Sequence, residues 1–562
     1  MTTLDRTIII AGAAGMGLVT VGKLLSKVLV RAGYEVFSTQ YYMSRIRGGH
    51  NSFRIRVSDT PQYASADACD VLFAFDQEAV SQHFEMLTPD GCVVLSDTLN
   101  AMNCAHIAVP LEKLAHKPLY YNIAGLGVVC ASLDLDIALP KQLLRELFIK
   151  KGQNVVDENC SVIADAYEWT QANAGVCQAL PKIQKKSDRM LVTGNESLAL
   201  GAMAAGVKFC SFYPMTPGTS VAETFITHAD HMGIVVEQVE DEIAALNMAL
   251  GASYAGAPAL VPTSGGGFAL MTEAVSLAGI MEQPIVIVDA QRPGPATGLP
   301  TRTEQGDLLF AMFGGHGEFP RIILAPRTIE ECFELGHNAI GLAERYQTPV
   351  IILTDQFLAD SLQSVYPYSF EELHQSPTPE LSDEHAADYK RYRLTDSGVS
   401  PRRIPGYGKS IVLADSHAHT ERGNITEDKQ LRRAMVDKML CKEDTIRADV
   451  IPPQYTGNDD PELLLICWGS AEGAVKEAAG LLSDAGHDIA VLSFSQVWPL
   501  DPKQFSHHLA NAGTRICVEG NSNAQFAWML KALTCINIEI TVSRYDGRPL
   551  TAQYILEELE QE

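Results

Sequence analysis

The twelve cysteines of this 562-residue chain are dispersed, and no two are close enough to form a CxxC pair. That spacing excludes a local zinc or iron–sulfur motif and reads as buried, reduced thiols in a reducing compartment. Basic residues are also short: 43 Lys and Arg face 68 Asp and Glu, for a net charge of -25. A nucleic-acid binder needs clustered cations for the phosphates, so that class is excluded. No uncharged apolar stretch reaches the roughly 20 residues that span a bilayer. Met1 to Arg6 is polar and Thr7 to Ala14 is too short an apolar run for a signal peptide, so no membrane role and a cytoplasmic location are expected. Internal repeats and low-complexity tracts are missing too.

What is present is core. A hydrophobic fraction of 46% is ordinary for a globular protein with substantial interiors. The length suggests roughly three or four domains of about 150 residues. Thr7 to Ala11 reads as a buried first strand, and Gly12-Ala13-Ala14-Gly15-Met16-Gly17 turns from it into a helix ending near Arg31. Glu35–Ser38, Ser52–Val57, Val71–Phe75 and Cys92–Leu95 are further strands with helical patterns between several of them, which predicts a parallel sheet flanked by helices. This first domain spans 1–180. A second, 190–363, holds strands at Cys210–Tyr213, Ile234–Val236, Ala259–Pro262, Pro284–Asp289 and Val350–Thr354. Residues 364–459 show little periodicity until Asp428–Met439 and read as a long excursion over the surface or against a partner. Residues 460–562 return to α/β, with strands at Leu463–Cys467 and Ile489–Leu492 around a helix at Ala471–Ala485. The fold class is multidomain α/β.

Four segments carry the chemistry: Tyr213-Pro214-Met215-Thr216-Pro217, Glu240-Asp241-Glu242, Thr263-Ser264-Gly265-Gly266-Gly267, and the run from Gln291-Arg292 to Pro300-Thr301. Each sits at a strand end or in the turn after it, where α/β proteins place ligands. Glu240 and Glu242 precede an Ala-rich helix. One acidic residue there is explained by capping and the helix dipole. A carboxylate entering such a core is also pushed towards its protonated form, which suits proton exchange near neutrality. The glycines at 265–267 allow close backbone approach by a ligand or simply make a tight turn. Arg292 offers a planar fork to a carboxylate, or pairs with a neighbouring acid. Gly12, Gly15 and Gly17 open a helix whose amides suit an anion, with Arg45 and Arg47 nearby. An acidic ligand such as coenzyme A and an ordinary turn with a solvated loop are both open there.

The four central segments resemble the alpha subunit of the 2-oxoacid:ferredoxin oxidoreductases, thiamine-diphosphate enzymes that convert 2-oxoacids to acyl-CoA. That family has a Tyr-Pro-x-Thr-Pro segment, a Glu-x-Glu segment and an Arg-Gly-Pro-rich loop in this order. Residues 1 to about 180 resemble the family's separate gamma subunit, fused here ahead of alpha, and Gly547-Arg548-Pro549-Leu550 resembles the end of its last, transketolase-like domain. Gly266 stands where the family usually has proline.

The resemblance implies that Glu242, with Glu240 second, meets the aminopyrimidine of thiamine diphosphate. It also implies that Thr216 and Arg292 hold the substrate carboxylate, and that Tyr213, Pro214, Thr263, Ser264 and Gly265 line the cofactor. The run Gly298–Asp307 is closer to the 2-oxoglutarate branch, with Arg302 as the partner for a distal carboxylate. Pyruvate and branched-chain 2-oxoacids are the alternatives. Outside the class stand a non-catalytic scaffold and a coenzyme A- or nucleotide-binding module. The chain has neither the Gly-Asp-Gly segment that holds the diphosphate and magnesium nor the cysteines of a 4Fe–4S cluster. A beta subunit is therefore expected to supply both, in a dimer of alpha–beta heterodimers. Ferredoxin, itself acidic, is expected to dock on beta.

Overall fold

The computed structural model describes residues 4–43, 49–174, 177–183, 188–370, 373 and 388–561. It forms two compact units, Met1–Val192 with Ser361–Pro367, and Thr193–Asp360 with Tyr368–Glu562.

The first unit is built on an eight-stranded sheet in the order His106–Val109, Leu87–Ser96, Cys69–Ala74, Asp5–Ala13, His50–Ser58, Glu35–Tyr41, Leu362–Val365, Met190–Thr193. The first four of these run parallel. His50–Ser58 is antiparallel to both of its neighbours, which corrects the all-parallel expectation. The link 42–49 is shorter than the dozen or so residues that a parallel crossover needs, so the chain must double back. The second domain was expected to run from 190 to 363; at its two ends the strands Met190–Thr193 and Leu362–Val365 extend the first sheet instead. Helix Leu18–Arg31 buries Leu18, Val21, Leu25, Val28 and Leu29 on this sheet. Cys92 and Cys177 are paired, so not all cysteines are free thiols as their dispersion suggests; proximity across 85 residues is invisible in local spacing.

His50 and His83 are buried in this unit with their Nε2 atoms 2.8 Å apart. Burial lowers both imidazoles, and His50 and Arg54 add to the effect at His83, which drops to about 3. A histidine lowered in the folded state contributes stability that is complete above its ordinary value and lost as pH falls from there towards the folded value. Thermal melting of the chain should therefore drop by a few degrees as pH is lowered from about 6.5. His83→Gln should flatten that slope, and an unchanged slope would remove the pair as its cause.

The second unit holds two sheets. Seven strands run in the order Gln496–Trp498, Ile322–Leu324, Pro349–Asp355, Ile285–Gln291, Ala259–Thr263, Phe209–Phe212, Val235–Gln238. All are parallel except the first. Five more run in the order Gln454–Thr456, Ile489–Phe494, Leu463–Trp468, Thr514–Glu519, Ile540–Ser543, again with an antiparallel first strand. One continuous core joins them, from Ile287 and Ile351 to Leu464, Phe494 and Phe526. The central strands read as unbroken apolar runs because helices cover both faces of a parallel sheet.

The described part of 364–459 is not a loose excursion. From 388 on it packs on this unit through buried charge. Arg391 donates to Gln347 Oε1 at 2.8 Å and to the Glu282 carbonyl at 2.6 Å. Arg402 pairs with Glu344 and donates to the Ser253 carbonyl. From helix Lys429–Arg447, Lys438 and Lys442 both grip Glu282, the latter at 2.5 Å. Their sequence looks solvated because its charges are neutralised only by residues far along the chain. Among the described residues, no helix is long and apolar enough to cross a membrane.

Candidate active site

The strand order of the seven-stranded sheet creates a crevice. From Phe209–Phe212 the chain moves to Val235–Gln238 on one side, then crosses to Ala259–Thr263 on the other. At such a reversal the loops leaving the carboxyl ends of the strands diverge and leave room for a ligand. Tyr213–Pro217, Val239–Glu242, Ser264–Gly267 and Arg292 follow four adjacent parallel strands at this end. The segments singled out in the sequence thus converge.

Glu242 is the first residue of helix Glu242–Tyr254, whose cap is Asp241: its carboxylate accepts the Ala244 amide at 2.7 Å. Asp241 therefore does the capping. Glu242 is 3% exposed, and its buried Oε1 has no hydrogen-bond partner. Glu240, two residues earlier, is exposed. Gly267 explains how Glu242 fits: a Cβ there would run into Thr263 Oγ1 and lie 2.7 Å from Glu242 Cγ. A Cβ on Gly218 would meet the Thr263 carbonyl, and one on Gly265 would meet the Asp307 carboxyl. Ser264, fully buried at the cap of helix Gly265–Ile280, has an unpartnered Oγ. At Gly266 the nearest atom to a Cβ is 3.6 Å away.

Arg292 and Thr216 meet. The guanidinium Nη1 donates to the Thr216 carbonyl at 2.7 Å, its Nε has no partner, and burial lowers its pKa. Thr216–Pro217 and Gly294–Pro295 are cis. Tyr213 and Pro214 are exposed at the crevice rim. Arg302 is seated elsewhere: Nη1 donates to the Thr301 carbonyl at 2.9 Å, and a Cβ on Gly547 would lie 3.0 Å from its own Cβ. In the first unit, Gly12 is the last residue but one of strand Asp5–Ala13, while Gly15 and Gly17 have positive φ. The turn's amides at Ala13, Ala14 and Met16 bond Asp76, Gly49 and Ala13, so part of the expected anion cradle is spent within the chain. Arg47 lies outside the described residues.

Sequence reasoning missed Asn195, Asp289 and Asp307. Each places an unpartnered buried oxygen at this sheet end, and in Asp289 both carboxyl oxygens lack a partner. A lone acid inside the apolar strand Ile285–Gln291 was the available signal for Asp289. Burial raises Asp289 well above the usual carboxylate range, with Asp307 adding to it; burial and then Glu304 push Asp307 up to about 6. Buried polar groups without partners are rare in folded chains, so their concentration here marks a place built to receive something. Among the described residues, no group of three or more His, Cys, Asp or Glu side chains is arranged to hold a metal ion.

A family profile described as "Pyruvate flavodoxin/ferredoxin oxidoreductase, thiamine diP-bdg" matches residues 200–438, and one described as "Pyruvate ferredoxin/flavodoxin oxidoreductase" matches residues 7–169. The 2-oxoacid:ferredoxin oxidoreductase subunit alpha of Sulfolobus sp is 30% identical, over 98% of this chain and 95% of that protein. The chain belongs to the 2-oxoacid:ferredoxin oxidoreductases, as an alpha subunit. This alpha subunit is also 29% identical to the 2-oxoglutarate oxidoreductase subunit KorA of Mycobacterium tuberculosis, over 85% of the chain and 80% of the relative. Its fold matches the 2-oxoglutarate:ferredoxin oxidoreductase of Magnetococcus marinus, solved with 2-oxoglutarate, coenzyme A and succinyl-CoA bound, with a TM-score of 0.92 and 30% identity. That match covers 99% of each chain. The alpha subunit is thus an oxidoreductase chain with a thiamine-diphosphate-binding domain.

Proposed function

We propose that this alpha subunit, with a beta subunit, converts 2-oxoglutarate, coenzyme A and oxidised ferredoxin to succinyl-CoA, carbon dioxide and reduced ferredoxin. The observation that carries the reading is Glu242: a buried carboxyl with an unpartnered Oε1, packed against Gly267 at the carboxyl end of the sheet's switch point. The full-length likeness to the Magnetococcus marinus enzyme supports the choice of substrate.

The residues present suit the pyrimidine half of thiamine diphosphate. When bound, that cofactor supplies the carbon nucleophile for the 2-oxo group and holds the electron pair left by carbon dioxide. Glu242 Oε1 holds or gives a proton at a ring nitrogen, in a site where burial strengthens the interaction. Ser264 Oγ and the Gly265–Gly267 turn let the ring come close, with Tyr213, Pro214 and Thr263 around it. Glu240, being exposed, is the weaker candidate. Arg292, steadied through the Thr216 carbonyl, presents its remaining N–H groups to the substrate carboxylate. Arg302, although its Nη1 donates to the Thr301 carbonyl, stays the proposal for a distal carboxylate. Gly12, Gly15, Gly17 and Arg47 stay the proposal for coenzyme A. Because the chain lacks a Gly-Asp-Gly segment and closely spaced cysteines, beta supplies the diphosphate and magnesium contacts and the 4Fe–4S cluster, and receives ferredoxin.

An anaerobic viologen-reduction assay tests this, with thiamine diphosphate, magnesium, coenzyme A and a panel of 2-oxoacids. Activity should require both chains and be strongest with 2-oxoglutarate. Arg302→Ala should cut the preference for 2-oxoglutarate over pyruvate by about tenfold or more, the scale of one lost charged contact. Best turnover with pyruvate or a branched-chain acid would replace the substrate, and an unchanged preference would remove Arg302 from its role.

A further inference from the structure

The five-stranded sheet has a reversal of its own. From Leu463–Trp468 the chain moves to Ile489–Phe494 on one side and returns to Thr514–Glu519 on the other, all three parallel. The loops leaving the carboxyl ends of Leu463–Trp468 and Thr514–Glu519 therefore diverge, and a sheet of this kind takes its ligand there. Here a residue of the same chain fills the place. Gln305, from the loop 292–307 that bears Arg292 and Arg302, is 3% exposed. Its Nε2 donates to the Trp468 carbonyl at 3.0 Å, and its Oε1 accepts the Gly520 amide at 2.8 Å. Its backbone amide donates to the Gly520 carbonyl at 2.6 Å, and its carbonyl accepts Asn521 Nδ2 at 3.2 Å. Every polar atom of Gln305 is thus spent on these two strand ends.

Two glycines make the socket. A Cβ on Gly469 would lie 3.2 Å from Gln305 Nε2, and one on Gly520 would lie 3.3 Å from Gln305 Cγ. The residues beside Gln305 are tied to the same domain: the Thr303 amide donates to the Gly547 carbonyl at 3.3 Å, and Gln525 Nε2 donates to the Gly306 carbonyl at 2.8 Å. On the side of the seven-stranded sheet, Arg292 Nη1 reaches the Thr216 carbonyl, Thr303 Oγ1 donates to Asp355 at 3.1 Å, and the Asp307 amide donates to Gln291 Oε1 at 2.9 Å. A loop without regular structure keeps one shape only where its polar groups find fixed partners, because ordering it costs conformational entropy. For residues 303–306 most of those partners belong to the C-terminal domain.

We propose that Gln305 is the positioning residue of the substrate loop: docked between the ends of Leu463–Trp468 and Thr514–Glu519, it holds the loop 292–307 where Arg292 and Arg302 receive the 2-oxoacid. The C-terminal domain thus sets substrate affinity through the loop it docks. The inference rests on the reading of that loop as the one that receives the substrate.

The experiment uses the alpha–beta complex. Gln305→Ala leaves the Gly520 amide and the Trp468 carbonyl without their side-chain partner. KM for 2-oxoglutarate should rise about tenfold or more, with little change in kcat or in KM for coenzyme A. Hydrogen–deuterium exchange of the amides at 303–307 should speed up by about the same factor. Gly520→Ala, which crowds Gln305 from the C-terminal side, should shift KM in the same direction, and the double variant should fall short of the two effects combined. A lower kcat at unchanged KM, unchanged exchange at 303–307, or full additivity of the two substitutions overturns the proposal. If Gln305→Ala does not assemble with beta, KM and exchange in Gly520→Ala decide the same points. Arg292→Ala and Arg302→Ala separate the two readings. A KM unchanged by both removes the loop from substrate binding, while the exchange rates still judge the docking of Gln305.

Discussion

Glu242→Gln is expected to lower turnover of the alpha–beta complex by roughly 10²–10⁴-fold, the usual contribution of a positioned acid–base group. Glutamine keeps the shape and the apolar stem of Glu242, so the helix Glu242–Tyr254, capped by Asp241, should fold unchanged. Melting temperature and co-elution with beta should match the wild type, so the loss will show in viologen reduction alone. A non-catalytic scaffold would lose nothing, and full turnover in Glu242→Gln would make that reading the correct one. Glu240→Gln provides the comparison: its side chain is exposed, and its effect should be small.

Gly267→Ala should damage the same site by sterics. The added methyl would run into Thr263 Oγ1 and stand 2.7 Å from Glu242 Cγ, with both neighbours fixed in a packed interior. Overpacking of this kind costs about 1–3 kcal/mol. A displacement of the carboxylate by an ångström costs about 10²-fold in rate. Gly480→Ala, on a helix surface where nothing lies within 4 Å of a Cβ, should leave stability and turnover near wild type. Equal behaviour of the two variants in melting and in turnover would mean that the contact between Gly267 and Glu242 does not matter.

The strands around the site were legible because their signal is local. Ala259–Thr263 and Ile285–Gln291 are apolar runs ended by Ser, Gly and Arg, the signature of parallel strands buried on both faces. Direction was not legible in the N-terminal sheet, because an apolar run looks the same whichever way it points, and only the short link 42–49 betrays the reversal of His50–Ser58. The segment after 388 misled for another reason. Arg391, Arg402, Lys438 and Lys442 read as solvated charge, yet Glu282, Gln347 and Glu344 take them into the interior.

The sequence alone therefore determined the α/β class, the four ligand-side turns and the family resemblance, since strand periodicity, glycine turns and motif order are properties of short stretches. The tertiary structure decided the rest: that Glu242 is buried while Glu240 is exposed, that Arg292 is steadied by a carbonyl 76 residues away, and that Asp289 is buried with neither carboxyl oxygen hydrogen-bonded. Burial, hydrogen bonding and charge coupling depend on which distant residues the sheet order brings together, and no local pattern encodes that.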